Sequence, residues 1–577
     1  MNVRCHLYDR VNYLDKWMST ASRLLVFILC ATNNRIDAQV PTIQWDARYG
    51  GLNGDYLTTL IETADGGFVL GGYSWSGIGG DKTQANWDNT LTTTDFWLIK
   101  TDANGTSQWD KRFGGDNFEV PNFDVKQTTD GGYIIGGTTV SGVSGDKTQP
   151  GFGSTDCWII KLDGLGNYQW DRTFGGTSVD GLAMIQQTGD GGYILGCYSQ
   201  SGVSGNKTQP NWGMLDYWII KLDAAGNFIW DRDVGGDRDD YLTSIEQTSD
   251  GGYIVGGFSL SGISGSKSQP NWDVTLSTSD YWIVKLDLNG NQQWDKRFGG
   301  TFWDAGIDNN IVDVKQTTDG GYIVGSISYS GADGDKSEPS FDLLAVKSDY
   351  WIVKTDANGN KLWDKKYGGT YPEDDFGNIT QTSDGGYLLA GTSYSFASGD
   401  KTENNLSNEQ TWVVKTDASG IKEWDKTLLN VSTSDDEIGV AIETSSGCFA
   451  IANYTSAGVG GDKTQSSRGD FDYWLVLLCD SLSSSSSFIN VPNIFTPNGD
   501  GVNDFFVVQV GNVRTYECYI YNRWGAPVFM TSDPSIVWNG NGTGGASCSD
   551  GTYFYLIRAE GIDGKIYLKK GFLTLLK

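Results

Sequence analysis

A hairpin signature recurs through most of this chain and confines it to a repetitive all-β fold. The triplet Asp-Gly-Gly begins at Asp65, Asp130, Asp190, Asp250, Asp319 and Asp384, at spacings of 60 to 69 residues, and Ser446-Gly447 holds the seventh place. Trp-Asp begins at Trp45, Trp109, Trp170, Trp230, Trp294, Trp363 and Trp424. A third marker, a tryptophan followed by aliphatic residues, centres on Trp97, Trp158, Trp218, Trp282, Trp351, Trp412 and Trp474. Fixed periods of this length belong to solenoids, propellers or arrays.

One unit resolves into four strands. In the fourth, Thr243 to Gln247 alternates, Ser249-Asp250-Gly251-Gly252 turns, and Tyr253-Ile254-Val255 returns. Glycine accepts the positive φ such a turn requires. After a long loop, Tyr281 to Leu286 is a third strand, Asp287 to Asn291 turns, and Gln292 to Phe298 is a fourth. Four strands per roughly 60 residues make a propeller blade. The chain opens with a lone fourth strand, Thr42 to Tyr49, and its last repeat stops after a third strand at Trp474. The N-terminal strand is therefore expected to complete the seventh blade and close the ring, leaving no free sheet edge.

The period is too long, and histidine too scarce, for WD40 repeats. Lys221 to Trp230, Lys-Leu-Asp-x-x-Gly-Asn-x-x-Trp, resembles the docking motif of quinoprotein repeats, in which the tryptophan locks neighbouring blades. That structural role is adopted here, without a quinone cofactor. The first-to-second and third-to-fourth turns are short and share one face. The second-to-third and fourth-to-first loops are longer, share the other, and make it the candidate functional face.

Two features recur on that face. Gly-Asp-Lys-Thr or a near version begins at Gly80, Gly145, Gly205, Gly265, Gly334, Gly399 and Gly461; it lacks the spacing and helix of a phosphate loop and reads as a structural turn. A carboxylate stands ten residues before each hairpin triplet: Asp55, Asp180, Asp240, Asp374 and Asp436, while repeats two and five have Val120 and Asn309 with Glu119 and Asp308 beside them. Such a ring at a channel mouth is a candidate calcium or cationic-ligand site; the alternative is that each acid caps a local turn. Paired carboxylates also serve glycoside hydrolysis. The departures from the repeat, Phe118 to Phe123 and Phe302 to Asn310, are where catalysis is to be sought, and no catalytic motif is found there.

The formal net charge of −29 excludes nucleic acid and disfavours anionic membrane surfaces. The single histidine, His6, lies in a segment expected to be removed, so no His-based triad and no His-ligated zinc is available. Leu24 to Ala31 is an eight-residue apolar run after Arg23, the length of a signal-peptide core, with cleavage expected between Ala38 and Gln39 and with Met18 as an alternative start. No later segment is apolar enough to span a bilayer. Removal leaves six cysteines in an oxidising compartment. Cys448 and Cys479 are the first candidate pair, Cys518 and Cys548 the second, and Cys157 with Cys197 a third, with reduced, buried thiols as the alternative.

After a serine-rich linker, residues 481–489, the repeat ends and a compact all-β module begins. It carries Phe495-Thr496-Pro497-Asn498-Gly499-Asp500-Gly501-Val502-Asn503-Asp504, then Tyr521-Asn522-Arg523-Trp524-Gly525, Val528-Phe529, Trp538-Asn539-Gly540, Gly551-Thr552-Tyr553-Phe554-Tyr555 and Gly571-Phe572-Leu573-Thr574-Leu575. In order and spacing these resemble the gliding-motility-associated C-terminal domain, the type B sorting domain of type IX secretion in Bacteroidetes. The resemblance implies an immunoglobulin-like sandwich recognised by the type IX machinery, with Phe495, Thr496, Pro497, Asn498, Asp500, Asn503, Asp504, Arg523, Trp524, Gly525, Gly551, Tyr553 and Gly571 as its sorting motif. Asn498, Asp500, Asn503 and Asp504 also form a candidate calcium loop, with a side-chain-bonded turn as the alternative.

The expected organisation is a signal region at 1–38, a seven-bladed β-propeller at 39–480, the linker at 481–489 and the sorting domain at 490–577. The expected function is a secreted or outer-surface binding or adhesion module for an extracellular glycan or protein. No cofactor is required, calcium is a candidate ligand, and no catalytic residue is assigned. The alternatives are a carboxylate enzyme acting on extracellular polysaccharide and a purely structural scaffold.

Overall fold

Each Asp-Gly-Gly triplet builds its hairpin through one carboxylate. Asp65 accepts from the Thr63 hydroxyl at 2.5 Å and the Gly67 N–H at 3.2 Å, and pairs with Lys100 at 3.0 Å, while Gly66 takes φ +78°. Lys161, Lys221, Lys285, Lys354 and Lys415 pair with the corresponding aspartates of later repeats. The computed structural model describes residues 40–577 except 89, 307–310, 342–346, 374, 432–435, 481–487, 493, 498–503, 512, 535, 543–544 and 562–565. The expected signal region with Ala38-Gln39, and most of the serine linker, lie outside the described residues.

Among the described residues there is no helix, and the repeats form seven four-stranded antiparallel sheets. The first holds Asp55–Glu62, Phe68–Ser74, Asp95–Thr101 and Ser107–Phe113 in sequence order. The last holds Glu437–Glu443, Phe449–Thr455 and Asp472–Cys479, and its fourth strand is Thr42–Tyr49, which runs antiparallel to Asp472–Cys479 with Asp46 opposite Val476. The lone N-terminal strand therefore completes the final sheet. None of these sheets closes on itself.

The third strand of every sheet is buried, and its tryptophan is inaccessible in all seven. The indole N–H of Trp97 donates to Asp110 of the Trp-Asp pair at 3.1 Å, and Trp474 does the same to Asp46 of the N-terminal strand at 3.0 Å. The tryptophan of Trp-Asp faces the next sheet. Trp170 meets Tyr193 edge-on at 5.9 Å and lies over Gly226, where an added Cβ would stand 2.7 Å from the ring. Trp45 of the seventh sheet meets Phe68 at 6.1 Å and lies over Gly105, both in the first sheet. Burial of these large aromatics, together with the Ile, Leu and Val around them, supplies apolar cohesion between sheets.

Cys448 and Cys479 form a disulfide across the second and third strands of the seventh sheet. The other two expected pairings are not formed: Cys157, Cys197, Cys518 and Cys548 are free thiols. Cys518 is held inside its sheet among core residues, whereas Cys548 lies in the loop before Gly551 with its N–H bonded to Gly540. Burial and a hydrogen bond with Cys197 push the Cys157 thiol up.

The C-terminal segment contains a five-stranded sheet, in which Ile494–Phe495 runs parallel to Ile566–Leu575, and a two-stranded sheet of Phe488–Asn490 with Gln509–Gly511. Its core gathers Phe495, Phe506, Trp538, Tyr553, Ile557 and Leu573.

Candidate functional site: the loop-bearing ends of the seven sheets

Strand order sends the second-to-third and fourth-to-first loops to one end of each sheet, where they bind each other. The Asp81 N–H donates to Gly50 O at 2.9 Å, and the Gly50 N–H to Asp81 Oδ2 at 3.1 Å. Beneath them lies a buried polar layer that repeats in every sheet. Asp55 accepts from the Gly51 N–H at 2.6 Å and the Ser76 hydroxyl at 3.0 Å, and also from Ser74. Asp180 and Asp240 do the same with Gly176 and Ser201 and with Gly236 and Ser261. The second glycine of each Gly-Gly pair leaves room for that serine: a Cβ on Gly236 would stand 2.5 Å from Ser261 Cβ.

Two sheets correct the sequence register. In the fifth, the equivalent acid is Asp304, accepting from the Gly300 N–H at 2.7 Å and Ser330 at 2.9 Å. In the sixth it is Glu373, accepting from the Gly369 N–H at 3.1 Å and Ser393 at 3.0 Å. Asp308, Asn309 and Asp374 lie outside the described residues. Glu119 fills the second sheet as expected, with the Thr139 hydroxyl at 2.9 Å, and Asp436 fills the seventh with the Asn430 amide. All seven acids are fully buried. Each of these acids accepts from donors of its own repeat, the bonding pattern of a turn cap. Among the described residues no group of three or more His, Cys, Asp or Glu could hold a metal ion. The Asn498, Asp500 and Asn503 positions lie outside the described residues.

The lysine of Gly-Asp-Lys-Thr is buried in this layer. Lys82 donates to Ser74 at 2.9 Å and Asn86 at 2.7 Å, and burial pushes it down to about 8 against the pull of Asp55 and Asp95. Thr83 donates from its backbone and hydroxyl to Asp110 at 2.9 and 2.6 Å, which ties the loop to the Trp-Asp pair. The motif is the structural turn expected.

A second acid series was missed by sequence reasoning. Asp95, Asp156, Asp216, Asp280, Asp349 and Asp472 open the third strands, two residues before each core tryptophan, and Gln410 replaces them in the sixth sheet. Each accepts the N–H of one exposed loop residue: Trp87 at 2.8 Å, Phe152 at 2.8 Å, Trp212 at 2.6 Å, Trp272 at 2.9 Å and Phe341 at 3.0 Å. Leu406 bonds Gln410 in the same way at 2.8 Å, and Arg468 bonds Asp472 at 2.8 Å. All seven stand five residues after the motif lysine, a count that would have found them. Burial pushes Asp95 and Asp472 up to about 6.

The departures from the repeat are local backbone irregularities. Asn122 takes φ +91° beside a register shift between Val120 and Phe123, and its amide donates to the Tyr198 hydroxyl at 3.1 Å. Ala305 and Gly306 take φ +62° and +83°.

In the C-terminal segment, Phe495 is buried against Trp538 at 5.1 Å. Arg523-Trp524-Gly525 forms a hairpin tip in which Asn522 accepts the Trp524 N–H at 3.0 Å and the Trp524 side chain is exposed. Tyr553 donates to Ser549 O at 2.7 Å, Gly551 takes φ +140°, and Gly571 sits where any Cβ would strike the Tyr555 hydroxyl. Pro497 packs beside Gly540, whereas Thr496 and Asp504 flank the undescribed loop.

Residues 489–575 match the CHU_C type IX secretion signal domain. No curated protein matches the chain. Among solved structures, a protein of unknown function from Dyadobacter fermentans is 9% identical, with a TM-score of 0.37 over 76% of this chain and 98% of that one. The NanB sialidase of Streptococcus pneumoniae is 8% identical, with a TM-score of 0.34 over 77% and 71%. PorZ, a surface component of the Porphyromonas gingivalis type IX secretion system, is 10% identical, with a TM-score of 0.17 over 96% and 88%. At these scores the structural likenesses carry no argument. No described helix is long and apolar enough to cross a membrane. Residues 489–575 are a type IX secretion signal domain, and the protein that carries them is one delivered by that machinery to the outer cell surface or the medium.

Proposed function

We propose that the seven sheets are the blades of a closed β-propeller that serves, outside the cell, as a binding or adhesion module through its loop-bearing face. The ring reading is supported by the N-terminal strand in the last sheet and by Trp45 lying over Gly105 of the first. The two sheets after residue 488 fit an immunoglobulin-like sandwich bearing the export signal.

The observation that carries the binding reading is the buried polar layer. Its acids are consumed as struts under the loops, which suits a rigid display surface and withholds them from acid-base catalysis. The test incubates the exported protein with a panel of polysaccharides and surface proteins, scoring retention and product release together. Retention without new chain ends supports a binding module. Released sugar ends would make the protein a polysaccharide-acting enzyme instead.

A further inference from the structure

We infer that the loop face carries a run of aromatic platforms in five successive repeats that binds neutral polysaccharide, one stacking site in each of those five. This rests on the binding reading above and names its ligand. Five of the seven strut-held loop residues are aromatic: Trp87, Phe152, Trp212, Trp272 and Phe341. All remain exposed, from 39% for Phe152 to 60% for Trp212. Large aromatics in water at equivalent places in successive repeats call for a partner.

Three of the five rings are held by side-chain contacts before any ligand arrives. Besides its backbone bond to Asp95, Trp87 donates its indole N–H to Asp146 of the next sheet at 2.8 Å. The Arg112 guanidinium covers one ring face at 4.8 Å, itself bound to Asp146 at 2.6 Å. Trp272 repeats the arrangement with Asp335 at 2.9 Å and Arg297 at 4.6 Å, and Lys366 lies over Phe341 at 3.0 Å. With a guanidinium over the ring, Trp87 and Trp272 still keep about two-fifths of their surface exposed. The indole also packs against a glycine of the next repeat: a Cβ on Gly145 would stand 2.8 Å from Trp87, and one on Gly265 2.9 Å from Trp212. That glycine is the first residue of the Gly-Asp-Lys-Thr motif, whose repetition now has a second physical reason.

A rigid aromatic face with no free charge suits the C–H face of a pyranose ring. Preorganisation removes the ordering cost that weakens such contacts. Arg112 and Arg297 are paired to aspartates, and the chain as a whole carries −29, so anionic polymers are repelled and neutral ones are not. Repetition around the repeats gives one long chain several weak contacts at once, so a polymer is held far more tightly than its short oligomers.

The experiment uses the exported protein on columns of cellulose, mannan and laminarin, with alginate and hyaluronan as anionic counterparts. Retention on at least one neutral polymer, with alginate and hyaluronan passing through, is expected. The triple variant Trp87→Ala, Trp212→Ala, Trp272→Ala is expected to lose retention by tenfold or more. The matching Trp→Phe triple keeps a platform at each place and is expected to stay within about threefold of the parent. Unfolding midpoints of both variants show whether either has lost its fold, and the single Trp212→Ala serves if the triple has. Undiminished retention in a folded Ala variant would overturn the platforms and leave the binding reading standing. Retention on anionic polymers alone, or on none, would overturn the neutral-glycan inference, while surface-protein retention decides the wider reading independently.

Discussion

Replacing both Cys448 and Cys479 by serine tests whether the seven sheets act as one unit. The disulfide closes a loop of 31 residues between neighbouring strands of the seventh sheet. Chain-entropy reasoning for a loop of that size gives a loss of about 3.7 kcal/mol at 25 °C. How far this moves the melting temperature depends on how much of the protein unfolds with it. If roughly 440 residues melt together, the unfolding entropy is about 0.9 kcal/mol/K and the midpoint falls by about 4 °C. If the seventh sheet melts alone, with about 60 residues and about 0.13 kcal/mol/K, the same loss lowers its midpoint by nearly 30 °C. The interlocking tryptophans, Trp424 on Phe449 at 5.2 Å and Trp45 on Phe68 at 6.1 Å, tie the seventh sheet on both sides and favour the first case. Scanning calorimetry of the exported protein and the double variant should show one main transition displaced by a few degrees. A separate transition appearing tens of degrees earlier would refute the interlocked ring.

Asp240→Ala should destabilise the protein by about 3 kcal/mol, because it strips the buried Lys267 of a countercharge; denaturant titration checks this, and retention on any bound polymer should show no calcium dependence attributable to that position. Burial pushes Asp95, Asp240, Asp304 and Asp472 up to about 6 and Asp436 up to about 7, so between pH 4 and 7 the folded state holds more protons than the unfolded one and stability falls as pH rises. Burial pushes Lys82, Lys267, Lys401 and Lys463 down to about 8, so the unfolded state holds more protons between 8 and 10.5 and stability recovers there. The denaturation midpoint should accordingly be higher at pH 5 than at pH 7.5. Gly251→Ala, at φ +82° with open space around it, should cost about 1–2 kcal/mol of left-handed strain. Gly226→Ala, at φ +76° against the Trp170 ring, should cost about 1–3 kcal/mol more through overpacking, and equal costs would contradict the interlocking role of that tryptophan.

The repeat architecture was legible because its signals are backbone chemistry. A glycine at positive φ recurs in all seven hairpins and an aspartate that bonds its own turn in six, and the offset ends of the chain placed Thr42–Tyr49 in the last sheet. The carboxylate series was legible only in part. Counting back from the hairpin runs along the first strand, where the register shift between Val120 and Phe123 is one residue wider than that between Leu57 and Thr59 and moves the acid to Glu119. Counting forward four residues from the second glycine of Gly-Gly crosses a constant turn and reaches Asp304 and Glu373. The aromatic platforms stayed hidden because the loop after them varies: Trp87 stands eight residues before its strut and Phe152 four. Their constant distance of five residues from the motif lysine is the signal that finds them. The two thiol pairings that failed could not be decided from spacing, since residues on facing strands are not distinguished there from residues a core apart.

Deleting residues 489–577 tests the central claim most directly. The full chain and the truncated chain are expressed in a type IX-competent host, and surface protease access and medium content are measured for each. The account predicts that the full chain is found outside the cell and that the truncated chain folds but stays in the periplasm. Surface exposure of the truncated chain would contradict delivery through the C-terminal signal domain.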